Sequence, residues 1–240
     1  MSNSVSAAGE RAALGGYLAQ FNAFAWFAYQ ELVADRLEWI RLADPEAEKL
    51  DDIQYASATE VHAYQVKWTI AEDTISFIDF SNLLPALVRS WQGLRAKYHG
   101  QHKQVIGHLL TNKALSAHDR ISSGKTKIGS FADFFAEVWL PLKDQQPYAA
   151  KWKPAVRQLI RRAGLTAAGF ADFVAHFEFQ SGYVAQEFSI TRAGYRTLDD
   201  DLTRFRAHLL EQVGDASRPV ELKASQLITD PNWGAFPDHL

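Results

Sequence analysis

The stretch "EVHAYQVKWTI", residues 60–70, decides how the chain folds. Aromatic and β-branched residues recur in it with a period of two, which is the pattern of a strand. Successive strand residues face opposite sides. Val61, Ala63, Gln65 and Lys67 therefore share one face, and His62, Tyr64, Val66 and Trp68 share the other. Burying a glutamine and a lysine two positions apart is costly unless something compensates them.

Outward from this strand, "RLEWIRLA" (36–43) and "KLDDIQYAS" (49–57) carry the same alternation. The connections "DPEAEK" and "SAT" make the three segments a meander. Before them, Leu14, Tyr17, Leu18, Phe21, Ala25, Ala28 and Leu32 recur at spacings of three and four, predicting a helix from about Ala12 to Ala34. Residues 1–9 are small and polar and are expected to fray. Glu31 falls near the apolar stripe, so its carboxylate is expected to point toward whatever the helix packs on. After the meander, a helix over Asn82–Tyr98 leads to the strand "KQVIGHLLTN" (103–112), and a helix between two strands makes a parallel crossover plausible.

The second half reads mostly as helices: "SFADFFAEVWLPL", "YAAKWKPAVRQLIRRAGL", "TAAGFADFVAHFEF" and "LDDDLTRFRAHLLEQVG". The expected fold is α/β, a central mixed sheet flanked by helices, with a mainly helical C-terminal extension. The core is expected over 10–115 and the extension over 116–240, together forming one structural domain. The ending "ASQLITDPNWGAFPDHL" has no stop signal and reads as a chain that continues.

Composition removes several function classes. Lys and Arg number 25 against 28 Asp and Glu, a formal net charge of −3, so binding to nucleic acid by bulk charge is not expected. There is no cysteine, which excludes disulfides and thiolate zinc sites and fits a cytoplasmic location. No signal peptide or membrane span is expected, since every long apolar stretch is broken by polar residues. "SSGKTKIGS" (122–130) resembles a phosphate loop, but Asp119 stands where the Walker pattern needs glycine, so no NTP site is expected. The histidines lack the helical spacing of a zinc site. "DDD" (199–201) suits the start of a helix.

A hairpin turning at Ser57-Ala58 would pair residues whose numbers add to 115, with Asp52 across from Ala63. Asp52, Gln65 and Lys67 then converge on one face, Gln65 being the diagonal neighbour of Asp52 at roughly 7–8 Å. A slip of one residue would put Asp51 in place of Asp52. A carboxylate and an amide oxygen suit Mg²⁺ or Mn²⁺, which takes hard oxygen ligands and retains waters. A metal so held can activate water against a phosphodiester, and a lysine beside it can stabilise the charge that develops. Glu31 is a candidate second carboxylate. The bland reading is a chance Q-x-K on a strand whose terminal lysine guards an edge.

The order of helix, "LEWIRLADPEAEKLDDI", "YQVKW", helix and a strand ending "LLTN" resembles the PD-(D/E)XK nuclease superfamily. Within it, the chain is similar to the Mrr-like double-stranded DNA endonuclease domains at the N-termini of bacterial antiphage proteins. The resemblance covers about residues 10–115 and implies a restriction-endonuclease-like core. It assigns Asp52 and Gln65 to the metal, Lys67 to catalysis and Glu31 to the acidic residue some members carry on the first helix. Gln65 replaces the usual acidic residue, which lowers the negative charge of the site. The resemblance further implies Mg²⁺ or Mn²⁺ as cofactor, double-stranded DNA as substrate, a C-terminal NTPase or sensor domain beyond Leu240, and a homo-oligomer on activation.

For DNA contacts, the basic loop with Arg120, Lys125 and Lys127 and the run Lys151, Lys153, Arg157, Arg161 and Arg162 are the local patches available. Two rival readings remain: a module that binds DNA or protein without cutting, and an interaction module in the helical half with the sheet as its scaffold.

Overall fold

A computed structural model describes residues 3–43, 49–69, 73–184, 207 and 221–229. The first helix, α1, spans Asn3–Val33. It begins earlier than the apolar stripe predicts. The helix takes in most of the residues expected to fray and then runs through "ERAA" (10–13), whose alanines, glutamate and arginine are good helix formers.

Strands β1 (Trp39–Leu42), β2 (Ile53–Ala56) and β3 (Glu60–Lys67) form the antiparallel meander. The β2–β3 turn is one residue later than expected. Ser57 N–H donates to the Glu60 carbonyl (2.9 Å), and Ser57 Oγ accepts from Glu60 N–H (3.1 Å). The hydroxyl closes the turn around Ala58-Thr59. Pairing is therefore Ile53 with Tyr64 and Ala56 with Val61. This shifts the expected register by two residues, an even number, so every side chain keeps its face.

Helix α2 (Phe77–Tyr98) starts five residues before its apolar stripe suggests. Ser76 and Asp79 form a capping box there, each side chain accepting from the other's backbone N–H. The helix returns the chain so that the long strand Gln104–Thr111 runs parallel to β3. We number the short strand Thr74–Ile75 as β4 and this long one as β5. β4 pairs with β6 (Ala114–Leu115) in a small parallel pair beside the end of the main sheet.

"SSGKTKIGS" forms a hairpin rather than an unstructured loop: β7 (Ile121–Ser123) and β8 (Thr126–Gly129) flank Gly124, whose φ of 62° is the left-handed conformation a tight turn needs. The helices that follow are α3 (Phe131–Phe134), a π turn (Phe135–Trp139), α4 (Leu140–Lys143), α5 (Lys153–Ala163) and α6 (Ala167–Ala175).

The second half also contributes strands to the main sheet. "FEFQ", where the helical pattern meets "EFQSGYVAQEFSITRAGYRT", a segment whose sequence reads as holding short irregular or extended pieces, is β9 (Phe177–Gln180), parallel to β5 at one edge. β10 (Glu221–Lys223) pairs antiparallel with β1 at the other, before a short helix, Ala224–Thr229. The six-stranded order is β10-β1-β2-β3-β5-β9, so both halves of the chain build one mixed sheet. The expected helix over "LDDDLTRFRAHLLEQVG" and the "DDD" cap lie outside the described residues, apart from a helical Ala207.

Two apolar layers cover the sheet. One joins Ala56, Val61, Ala63, Val105 and Leu109 to α2 and the α3–α6 helices, through Trp91, Phe134, Trp139, Leu159 and Phe173. The other joins Ile40, Ile53, Tyr55, Tyr64, Val66 and Leu110 to Phe24, Ala25 and Ala28 of α1 and to Leu222 and Leu227. Each buried aromatic contributes roughly 1.5–3 kcal/mol of apolar transfer free energy. The molecule is a three-layer α/β/α arrangement, as the α/β expectation required. Among the described residues no helix is long and apolar enough to cross a membrane.

Candidate functional site

Asp52 sits one residue before β2. Its N–H donates to the Tyr64 carbonyl (3.2 Å), and its carbonyl accepts from Ala43 N–H (3.2 Å). The first bond lies just past the last β2–β3 pair, Ile53 with Tyr64, and the second extends the β1–β2 pairing, so the shifted register brings Asp52 beside Gln65. The Gln65 side-chain amide donates to Asp52 Oδ2, and the Val66 backbone N–H donates to the same oxygen at 2.6 Å. Gln65 is only 4% exposed, so this pairing answers the cost of burying its amide. Asp52, not Asp51, is the carboxylate that meets Gln65.

Burial pushes the Asp52 carboxyl above its ordinary value. The backbone N–H of Val66 opposes this, the neighbouring Asp51 charge adds to it, and the Gln65 amide and Lys67 ammonium pull it back down. Lys67 is the last residue of β3, on the same face as Gln65 and partly exposed. Its register partner on β5 is the buried Thr111.

Two residues of this region escape the sequence reading. Asn112 pins the backbone just beyond Lys67: its Nδ2 donates to the Thr69 carbonyl (2.6 Å), and its Oδ1 accepts from Thr69 N–H (3.1 Å). The "TN" after an apolar run is the only hint of it in sequence. Gln54 lies two residues from Asp52, on the same face and fully buried. Its Nε2 donates to the Leu50 carbonyl (3.1 Å), while its Oε1 is buried without a hydrogen-bond partner.

Glu31 is not part of this group. It makes a two-pronged pair with Arg36, both contacts 2.9 Å, and its charge acts on Tyr55, His62 and Tyr64. Those rings lie on the α1 face of the sheet, and Asp52 and Gln65 lie on the α2 face. The helical stripe placed Glu31 toward the sheet, but α1 covers the other side of it.

The donor set is made of hard oxygens, which suits Mg²⁺ or Mn²⁺. To ligate, Gln65 must turn its amide so that Oε1 replaces Nε2 toward the cation. Among the described residues no three His, Asp or Glu side chains gather as a metal cage, so an ion here would keep most of its shell as water.

The basic residues fall on two neighbouring elements. Lys125 and Lys127 are exposed on the β7–β8 hairpin, where Arg120 donates to the Lys125 carbonyl (2.9 Å). Lys153, Arg157 and Arg161 are exposed on α5, which packs on α2 and against β7. Lys151 pairs with Glu137 (2.7 Å), and Arg162 donates to Asn82 Oδ1 (2.6 Å) at the start of α2. No protein-family model matches the chain, and no curated protein matches it.

Proposed function

We propose that this chain is a metal-dependent endonuclease that hydrolyses phosphodiesters of double-stranded DNA, the cytoplasmic effector module of a bacterial antiviral defence protein. The observation that carries the reading is the meeting of Asp52 and Gln65 across β2 and β3, with Lys67 two residues further along the same face. The order of helix, antiparallel meander, crossover helix and parallel strand supports the reading, because it resembles the order of a restriction-endonuclease-like core.

In this reading Asp52 and Gln65 hold Mg²⁺ or Mn²⁺, which when bound polarises the phosphate and acidifies a water. Lys67 stabilises the charge that grows on the phosphoryl oxygens. Asn112 fixes the strand end from which Lys67 projects. Lys125, Lys127, Lys153, Arg157 and Arg161 contact the DNA backbone, with Lys151 contributing once released from Glu137. An NTPase or sensor domain in the same protein assembles copies of the module, so that two sites address opposite strands.

A second reading is favoured by one observation: Gln65 already donates to Asp52, a pairing made without any cation. It makes the chain a DNA- or protein-binding module that does not cut.

Plasmid nicking by the assembled protein across a Mg²⁺ series separates the two. Lys67→Ala is expected to lower cleavage by ~10²–10³ at every metal concentration. Asp52→Ala is expected to lose cleavage with partial recovery at high Mn²⁺. Equal cutting by wild type and Lys67→Ala rejects the nuclease assignment. DNA binding without cutting by either supports the binding module.

A further inference from the structure

The sheet face opposite Asp52 carries a ladder of four rings. Tyr55 stacks on His62 (4.7 Å between centroids), and Tyr64 stacks on His108 (4.0 Å, 9° between planes). His62 Nδ1 and His108 Nε2 are 3.0 Å apart, and His62 Nε2 is 3.3 Å from Glu60 Oε2. Phe27 of α1 lies on Tyr64 at 4.5 Å and closes the stack from above.

This geometry determines the tautomers. His62 Nε2–H donates to the Glu60 carboxylate, so His62 Nδ1 is an acceptor and His108 must donate from Nε2. His108 Nδ1 is then a bare lone pair. It is buried without a hydrogen-bond partner in a residue 5% exposed. A proton added to the pair leaves either an imidazolium or an N–H without an acceptor in this closed space.

We propose that the His62–His108 pair is an acid-sensitive latch: neutral, it holds the ring ladder on which α1 docks through Phe27, and proton uptake releases α1 from the sheet.

The charged and titratable groups around the pair come from every element packed on it. Glu31, with Arg36, faces it from α1 and the turn beyond; Tyr55 from β2; Glu60 and Tyr64 from β3; and Glu178 from β9, paired with Lys143 of α4. Burial holds His62 below its ordinary value of 6.5 despite the Glu60, Glu31 and Glu178 charges. Burial, with His62 and Lys143 adding to it, holds His108 well below that value. With α1 released, both imidazoles regain ordinary values and bind more protons than in the closed form. The docked state is therefore fully stable above about pH 6.5 and weakens as pH falls from there toward the closed-state values. Opening becomes about tenfold more favourable per pH unit for each imidazole that takes up a proton.

The test is hydrogen exchange of the full chain, read as protection factors corrected for intrinsic rates, at about pH 7.5 and about pH 5. Peptides of α1 are expected to lose at least ~tenfold in protection on acidification while α2 keeps its own. His108→Phe preserves the stack on Tyr64 but cannot titrate, and should cut the loss to the share that His62 alone supplies. Protection of α1 that ignores pH in wild type, or an equal loss in His108→Phe, overturns the latch. If that variant does not fold, the imidazole proton resonances of wild type decide. The latch requires that His62 and His108 titrate together with the loss of α1 protection. Titration of either at the ordinary value with α1 still protected overturns it.

Discussion

The side-chain amide of Gln65 donates to the carboxylate of Asp52 across the β2–β3 pair, and both residues sit on the α2 face of the sheet. This contact is where the two functional readings part. A cation would require the amide to turn and offer its oxygen.

Gln65→Glu places a second carboxylate opposite the first. Without metal, two such groups cannot both ionise cheaply, and one is forced to keep its proton. The variant is expected to be less stable than wild type by roughly 1–3 kcal/mol at neutral pH in chelator. Mg²⁺ or Mn²⁺ should recover that loss and add more, because binding to the folded form stabilises by mass action. Thermal melts in chelator and along a metal titration measure both parts. If metal raises the melting temperature of wild type and variant equally, the pair does not face a cation.

Asp52→Asn tests the raised carboxyl directly. In the folded state Asp52 binds its proton more tightly than in the unfolded state, because burial disfavours the charge. The folded form therefore holds more protons in the window above 3.8. Its favourable contribution is complete below that value and is lost as pH rises through the folded value. At neutral pH in chelator the charged, buried Asp52 is a liability, and Asp52→Asn is expected to melt at a higher temperature than wild type. The gain should shrink as pH falls and vanish below about pH 4. Paired melts along a pH series read the sign, and a lower melting temperature for the variant at neutral pH contradicts it.

Much of this region is legible in sequence, because strand faces depend on parity alone. Moving the hairpin register by two residues left Asp52, Gln65 and Lys67 on one side. Glu31 was not legible in the same way. Large apolar residues surround α1 on several sides, and Tyr17 and Leu18 remain exposed, so the stripe indicates burial without saying which face of the sheet is covered. The start of β9 was hidden because Phe170, Phe173 and Val174 keep helical spacing up to it. Only the parallel pairing of Gly107 with Phe177 separates a strand from a continuing helix there. The His62–His108 contact joins residues 46 apart and depends on the β3–β5 register, which no local pattern supplies.

Gly107 is where that late strand docks. A Cβ at this position would come 2.8 Å from Phe177 Cδ2 and 3.3 Å from Leu50 Cδ1, and both neighbours are fully buried. Gly107→Ala is expected to cost about 1–3 kcal/mol through overpacking. Denaturant melts quantify the loss. Pairing the change with Phe177→Leu should return part of it, because the clash is with the ring edge.

Asp119, which broke the phosphate-loop pattern, has a structural task instead. Its Oδ2 accepts from Phe77 N–H (2.8 Å) and its Oδ1 accepts from Phe131 N–H (2.7 Å), the first residues of α2 and α3. One carboxylate thus ties together two helix starts, each already closed by a serine–aspartate capping box. Losing a capping acceptor costs about 0.5–2 kcal/mol, so Asp119→Ala, which removes two, is expected to lose about 2–3 kcal/mol. For a chain of this size that is a fall of ~4–12 °C in melting temperature. Asp119→Asn keeps one acceptor oxygen and turns the other into a donor facing an N–H. It should recover less than half of the loss, where a residue valued only for its shape would recover nearly all. Calorimetry of the three proteins distinguishes these outcomes. Full stability in Asp119→Asn would mean that one of the two helix starts holds without the carboxylate.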